Sequence, residues 1–166
     1  MNQKLASIAR IEAEKDLHGT LEGLDSTLQP IVSLFPVSPT WNDKNWDNSW
    51  CAAFVYYCFI LSGIKLPVKY PNEMVSTNFS GCYAWEEWAK LKNNGYWHDP
   101  DEEYFVPEEG DLVLYDYAFI DEEHDHMGII LEVHDTYLLT AEGNVKNRSA
   151  ILKRPFDSHI RGYIRY

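Results

Sequence analysis

Two cysteines lie seven residues apart in the segment WDNSWCAAFVYYC, residues 46–58. Its apolar and aromatic residues predict a helix from about residue 50 to 62, ended by Gly63. Cys51 would lie in the first turn, where free backbone N–H groups and the helix dipole favour a thiolate. Cys58 would lie about two turns further on, where a free thiol usually packs as a small apolar side chain. Cys51 is therefore the candidate nucleophile. Three preceding polar residues could cap this helix: Asp47, Asn48 and Ser49.

A thiol nucleophile needs a base, and the chain has six histidines. His126 is the strongest candidate because DHMGII begins a predicted strand, which would hold the imidazole in place, and Gly128 leaves room beside it. His124 competes, but it falls in the charged loop DEEHD, where we expect a mobile side chain. His18 and His98 fall in polar, turn-like stretches and are expected to be solvated. The alternative for His126 is a strand-end histidine that faces water.

A third polar group usually orients the imidazole through its second nitrogen. In the segment TYLLTAEGN, strand alternation places Leu138, Thr140 and Glu142 on one face. Glu142 would then end a strand beside apolar residues, which suits a carboxylate that holds a histidine. The alternative is an ordinary charged strand end next to the turn residues Gly143 and Asn144.

Helices are predicted to come first in the chain. Residues 3–17 have an amphipathic helical pattern, and residues 21–34 are half helical with an interruption at Pro30. Residues 36–45 contain the Pro, Asn and Asp residues of a loop. After the cysteine helix, residues 83–94 predict a third helix, closed by Gly95.

The pattern then changes to a period of two. Five short strands are predicted, at about residues 111–117, 126–133, 136–142, 150–154 and 162–166. The short turn at residues 134–136 favours antiparallel pairing. Helices followed by strands predict an α+β fold, in which the cysteine helix packs on an antiparallel sheet of about five strands.

Composition limits the possible classes of function. A chain of 166 residues with 45% apolar residues is expected to form one compact unit with a proper core. The net charge of −12 argues against nucleic-acid binding, and no apolar run is long enough to cross a membrane. No charged start leads into an apolar stretch, so we expect no signal peptide. Three cysteines are too few for a disulfide framework, so at least one thiol is expected to be free unless two chains pair. They lack zinc-ligand spacing, and we expect neither a metal nor another cofactor.

The order of these segments resembles the CHAP family of cysteine, histidine-dependent amidohydrolases and peptidases, relatives of the NlpC/P60 cell-wall hydrolases with a papain-like fold. The resemblance rests on NSWCAAFVYYC, PEEGDLVLYDY, DHMGIILEV and AEGN, continues into GYIRY, and covers residues 45–166. Residues 1–44 are expected to be a helical addition to that catalytic domain.

The resemblance implies roles for individual residues. Cys51 matches the family's nucleophile, His126 its base and Glu142 the residue that orients the base. Asn144 matches an asparagine that often follows two positions later. Some phage members bind calcium through acidic residues before the cysteine, but Lys44 falls in that region here, so we expect no calcium.

The function implied by the resemblance is hydrolysis of an amide bond in bacterial peptidoglycan. The bond would be the one between N-acetylmuramic acid and L-alanine or a peptide cross-link. The resemblance further implies a bacterial or phage origin and action at the cell wall after delivery. Two alternatives remain: a cytosolic cysteine peptidase or amidase with a protein substrate, and a catalytically silent binding domain of the same fold.

Overall fold

The computed structural model describes residues 2–35, 49–71 and 77–166. Four helices precede six strands in this part of the chain, which confirms the α+β prediction. The elements are α1 (Asn2–Glu14), α2 (Gln29–Val32), α3 (Cys51–Ser62), α4 (Cys82–Ala89), β1 (Trp97–His98), β2 (Leu112–Tyr115), β3 (His126–Val133), β4 (Tyr137–Val145), β5 (Arg148–Pro155) and β6 (Ile160–Ile164). The loop predicted at residues 36–45 lies outside the described residues.

The six strands form one antiparallel sheet in the order β1-β6-β2-β3-β4-β5. The turn predicted at residues 134–136 joins β3 to β4, which pair as a hairpin. The sequence predicted about five strands and missed β1, because two residues are too few to show alternation. Strand β6 follows β5 in the chain but pairs with β1 and β2, so the chain crosses the sheet to reach its place.

Helix α3 lies at the centre of the core. Nine of its twelve residues are buried, since α1 and α2 contact it from one direction and β3 and β4 from another. Helix α1 contributes Leu5, Ala6 and Ala9 to the same core. The close approach of α3 to β4 depends on Gly143, where a Cβ atom would lie 2.5 Å from Phe54 Cβ.

The predicted cap of α3 is wrong. The residue at the cap position is Trp50, and no side chain caps the helix. Trp50 is buried, and its indole Nε1 instead donates a hydrogen bond to Asn147 Oδ1 at 3.1 Å. Packing of the Trp50 ring against the sheet therefore fixes the start of α3. This is a tertiary contact, so the local preference for polar cap residues does not predict it.

Two further predictions are corrected. Helix α4 ends at Ala89, with Lys90 at its cap, because the Asn94 side chain donates to the Trp88 carbonyl at 2.7 Å and turns the chain before Gly95. His18 is buried, since residues 17–19 pack beside the start of β5 and its ring contacts the Gly19 carbonyl. Among the described residues, no helix combines the length and apolar character needed to cross a membrane.

Candidate active site

Cys51 is the first residue of α3 and points toward the start of β3. Its side chain is buried, and Sγ lies 4.0 Å from the carbonyl oxygen of Asp125. The first backbone hydrogen bond of the helix runs from Phe54 N to Trp50 O. The N–H groups of Cys51 and Ala52 precede that bond, so they have no carbonyl partner within the helix. The thiol and these donors therefore occupy one helix end.

His126 is the first residue of β3, where the sequence predicted it. Its imidazole is 2% exposed, and Nε2 lies 2.7 Å from Glu142 Oε2. The ring packs against Tyr115 and, edge-on, against Phe119, with centroids 6.2 and 4.7 Å away. Because Nε2 is occupied by Glu142, Nδ1 is the nitrogen left for Cys51. The ring is thus fixed by its place on β3, by its two aromatic neighbours and by the Glu142 carboxylate.

Gly128 allows this contact to form. It pairs with Glu142 across β3 and β4, and a Cβ atom at position 128 would lie 2.8 Å from Glu142 Cγ. Any side chain there would displace the glutamate stem that reaches His126. The room that the sequence suggested beside His126 is therefore filled by Glu142.

Glu142 is fully buried and accepts four hydrogen bonds. Oε1 accepts from Thr140 Oγ1 at 2.6 Å and Arg154 Nε at 2.8 Å, while Oε2 accepts from His126 and from Arg154 Nη2 at 2.6 Å. Burial alone would raise the pKa of Glu142, but the hydrogen bonds from Arg154 and His126 lower it to about 2. The carboxylate is therefore charged at neutral pH.

The sequence prediction missed Arg154. The short turn between β4 and β5 sets a register in which Arg154 pairs with Leu138 and Leu152 pairs with Thr140. Directly paired residues share a face of an antiparallel sheet, so Arg154 lies on the face that carries Glu142. The β4–β5 register was therefore the feature of the sequence from which Arg154 could have been predicted. The Arg154 guanidinium also lies over the rings of Tyr115 and Phe119.

The electrostatics of the site favour a charged pair. The pKa of Cys51 lies well below its ordinary value, chiefly because of its hydrogen bond with Cys82 and because His126 interacts with the sulfur, although burial opposes the shift. Burial lowers the pKa of His126, but its hydrogen bonds to Cys51 and Glu142 raise it to about 9. These shifts favour the charged forms of the two groups, a thiolate at Cys51 and an imidazolium at His126.

Cys82 is a second residue that sequence reasoning did not place here. It begins α4, and its Sγ lies 3.6 Å from Cys51 Sγ, with both residues buried. Cys58 lies elsewhere in the core, and burial raises its pKa well above the ordinary value. No local pattern links positions 51 and 82, because the fold alone brings the two helix starts together.

His124 does not join this cluster. We expected a mobile side chain, but the ring is bound by the carboxylate of Glu86 and contacts Tyr83, with centroids 5.1 Å apart. Its backbone N–H donates to Asp116 Oδ1 at 2.7 Å. The charged loop is thus ordered around His124, whose imidazole is directed to Glu86.

Asn144 lies near the end of β4 with a left-handed backbone, φ 61°, where the pairing with β5 shifts register. In the described part of the chain, no hydrogen bond joins it to Cys51, His126 or Glu142. Nor do the described residues contain a group of three His, Cys, Asp or Glu side chains that could hold a metal ion. The acidic segment considered for calcium lies almost wholly outside them.

Comparison with known proteins identifies the family. No curated protein and no solved structure matches this chain significantly. The CHAP domain family matches residues 43–144, a range that contains α3, the start of β3 and most of β4. CHAP domains have a papain-like fold and are generally amidases or peptidases that act on peptidoglycan. Because the match covers more than half of the sequence, the chain belongs to the CHAP family.

Proposed function

We propose that this protein is a cysteine amide hydrolase that cleaves bacterial peptidoglycan through a thioester acyl-enzyme. The observation that carries the proposal is the arrangement of Cys51, His126 and Glu142. In it, Nε2 of the His126 imidazole lies 2.7 Å from the fully buried Glu142 carboxylate. Each of the three side chains is held by a different element: α3, β3 and β4.

In the first half of the reaction, the Cys51 thiolate attacks the amide carbonyl carbon. The resulting oxyanion is stabilised by backbone N–H groups at the start of α3, that of Cys51 among them. His126, as imidazolium, protonates the leaving nitrogen, the C–N bond breaks and an amine departs. The acyl group remains on Cys51 as a thioester, and Glu142 keeps the imidazole in position throughout.

In the second half, neutral His126 removes a proton from water, and the resulting hydroxide attacks the thioester carbon. The C–S bond breaks, a carboxylic acid is released, and the thiolate–imidazolium pair is restored. Asn144, two residues after Glu142, is proposed as a weaker member of the site. We also propose that residues 1–44 are a helical addition to a catalytic unit formed by residues 45–166.

Exposed apolar side chains near the Cys51 thiol provide a surface to which a substrate can bind. The loop from β2 to β3 exposes Tyr117, Phe119 and Ile120, each 46–51% accessible, and Phe119 contacts His126 directly. Tyr83, half exposed, follows Cys82 on α4. Exposed aromatic and aliphatic side chains around a buried reactive group are typical of a binding cleft, so these residues support the proposal of an extended peptide or glycopeptide substrate.

The test is incubation with purified sacculi under reducing conditions, followed by mass analysis of the new ends. New N-terminal L-alanine would indicate the amidase activity, and newly freed cross-link amines the endopeptidase activity. Cys51→Ala should be inactive, and the matched control Cys58→Ala should stay active. That difference would show that the hydrolysis comes from this protein and not from a contaminating enzyme. Sacculi that stay intact with the reduced wild-type protein would contradict the proposal and favour a protein substrate or a silent binding domain.

A further inference from the structure

A second thiol lies beside the candidate nucleophile. The sulfur atoms of Cys51 and Cys82 are 3.6 Å apart, which is hydrogen-bond range for sulfur and far longer than the roughly 2 Å of a disulfide bond. Both cysteines are free and buried, and each is the first residue of its helix, α3 or α4. The mechanism above uses only one of them, so the role of the other needs an explanation.

The two thiols are not equivalent. The hydrogen bond to Cys51 and burial raise the pKa of Cys82 well above its ordinary value, whereas the same hydrogen bond lowers that of Cys51. This difference favours Cys82 as the S–H donor and the Cys51 sulfur as the acceptor. His126 interacts with the Cys51 sulfur and brings a positive charge to that member of the pair.

The position of Cys82 is fixed from outside the thiol pair. One turn into α4, the buried carboxylate of Glu86 is bound by Arg161 of β6, by Lys90 at the end of α4 and by His124 of the β2–β3 loop. Arg161 also binds Asp116, which accepts the His124 backbone N–H. This ion-pair network ties the start of α4 to the sheet and to the loop before His126.

We propose that Cys82 is a positioning residue whose thiol donates a hydrogen bond to Cys51 Sγ and holds that sulfur as a thiolate facing His126. The inference rests on the proposed role of Cys51 as nucleophile. The hydrogen bond from Cys82 stabilises mainly the resting enzyme, because the Cys51 sulfur loses its negative charge when the acyl group is transferred to it. Cys82 therefore favours the charged nucleophile at the expense of some intrinsic reactivity.

The titratable and charged groups around the Cys51 sulfur, in the described part of the chain, come from four elements besides α3. Cys82 faces it from α4, and His126 with the preceding Asp125 from the start of β3. Glu142 of β4 lies behind His126, and Arg154 of β5 lies behind Glu142. Cys82 makes no hydrogen bond to His126, Glu142 or Arg154 in the described part of the chain, so it can be changed without removing a member of that series of contacts.

The decisive comparison is Cys82→Ala against Cys82→Ser, because the two side chains differ only by the hydroxyl donor. The ultraviolet absorbance of the thiolates is measured against pH for each Cys82 variant. The curve of the double variant that also carries Cys51→Ala is then subtracted, which leaves the titration of Cys51. We expect the Cys51 midpoint to rise by about one pH unit in Cys82→Ala and to stay near the wild-type value in Cys82→Ser. Cys58→Ala, which removes the third thiol, should leave it unchanged.

Alkylation by iodoacetamide gives a readout that simple loss of packing would not produce. Above its midpoint, the Cys51 thiolate of Cys82→Ala should react about threefold faster than that of Cys82→Ser, since a more basic thiolate is more nucleophilic. Equal midpoints and equal plateau rates in the two variants would overturn the inference.

A further measurement keeps residue 82 intact, in case changes there prevent folding. In Cys51→Ala, Cys82 loses the neighbour that raises its pKa, so its own titration should move to lower pH than in the wild-type protein. An unchanged Cys82 titration would overturn the inference. None of these titrations needs turnover. Failure to digest sacculi would thus refute the proposed function alone, and equal Ala and Ser curves in an active enzyme would refute the role of Cys82 alone.

Discussion

Arg154 binds both oxygens of the Glu142 carboxylate, with Nε 2.8 Å from Oε1 and Nη2 2.6 Å from Oε2. Glu142 is fully buried, and the Arg154 side chain is only 16% exposed. A buried carboxylate needs this compensation, because removal of one partner leaves an uncompensated charge in the interior. The same carboxylate holds His126, so the stability of the fold and the geometry of the site depend on one ion pair.

Replacement of Arg154 by Met should therefore lower the free energy of unfolding by about 3 kcal/mol and reduce turnover. Arg148→Met is the matched control on the same strand, β5. Arg148 pairs with Asp16 at the surface, where both side chains are at least 40% exposed, so its loss should cost no more than about 0.5 kcal/mol. Urea denaturation of both variants measures the difference, and equal losses would show that burial of the Glu142 pair is unimportant.

Cys51→Ser should reduce hydrolysis by a factor of about 10³ or more, because a hydroxyl is far less acidic than a thiol stabilised by His126 and a helix start. Cys58→Ser should keep turnover and lose about 1–3 kcal/mol of stability, since it places a hydroxyl in an apolar core. Iodoacetamide labelling with peptide mapping provides a second check. Faster labelling of Cys58 or Cys82 than of Cys51 would refute the assignment.

His126→Ala should abolish turnover, whereas His124→Ala should leave most of it. The two residues are separated by one position, but His126 binds Glu142 and interacts with Cys51, while the His124 ring is bound to Glu86. In His124→Ala, Glu86 keeps Arg161 and Lys90 as partners. Rates of sacculus solubilisation for the two variants decide the matter, and the reverse order of activity would assign the base to His124.

The pH dependence follows from the pKa of His126, which is raised from 6.5 to about 9. A raised pKa means that the folded state binds the proton more tightly than the unfolded state. The stabilisation is therefore complete below pH 6.5 and is lost as the pH rises through about 9. Hydrolysis should fall over the same alkaline range, because the leaving nitrogen needs the proton of the imidazolium.

Measurements of stability and turnover between pH 6 and 10 test that expectation. Cys51→Ala removes the thiolate that helps to raise the His126 pKa, so its loss of stability should begin at lower pH than in the wild-type protein. A stability curve that is identical in the two proteins would contradict the charged pair.

Activity should survive dialysis against EDTA. The nucleophile, the base and the oxyanion donors all come from the chain, so no step of the proposed reaction needs a metal. Sacculus digestion before and after chelation is the measurement. Loss of activity that added calcium restores would show that the acidic segment around Asp43 and Asp47 binds an ion.

The sequence was most informative where function restricts local structure. Cys51 at a helix start, His126 at a strand start and Glu142 on the same strand face as Leu138 and Thr140 all follow from residue order and period. Their convergence could be expected only through the resemblance to a family. The cap of α3 was predicted wrongly because the packing of Trp50, rather than a polar side chain, sets that helix start.

The contacts that were not predicted all join different elements of the fold. Cys82 of α4 contacts Cys51 of α3, Arg154 of β5 binds Glu142 of β4, and Arg161 of β6 binds Glu86 of α4. His18 was expected in solvent, and a bridge to Arg148 of β5 helps to bury it. Local periodicity carries no information about such pairs, although the β4–β5 register would have placed Arg154 on the correct face.

The position of β6 between β1 and β2 also bears on how the protein is synthesised. The ribosome releases Cys51, His126 and Glu142 before Arg154, and Arg154 before Arg161 and the rest of β6. Until β6 emerges, one edge of β2 stays open and Glu86 lacks its arginine. Pairings between distant segments form late in folding. Translation thus delivers the reactive thiol before the arginines that bind Glu142 and Glu86, so the nascent chain cannot complete the site until β6 has emerged.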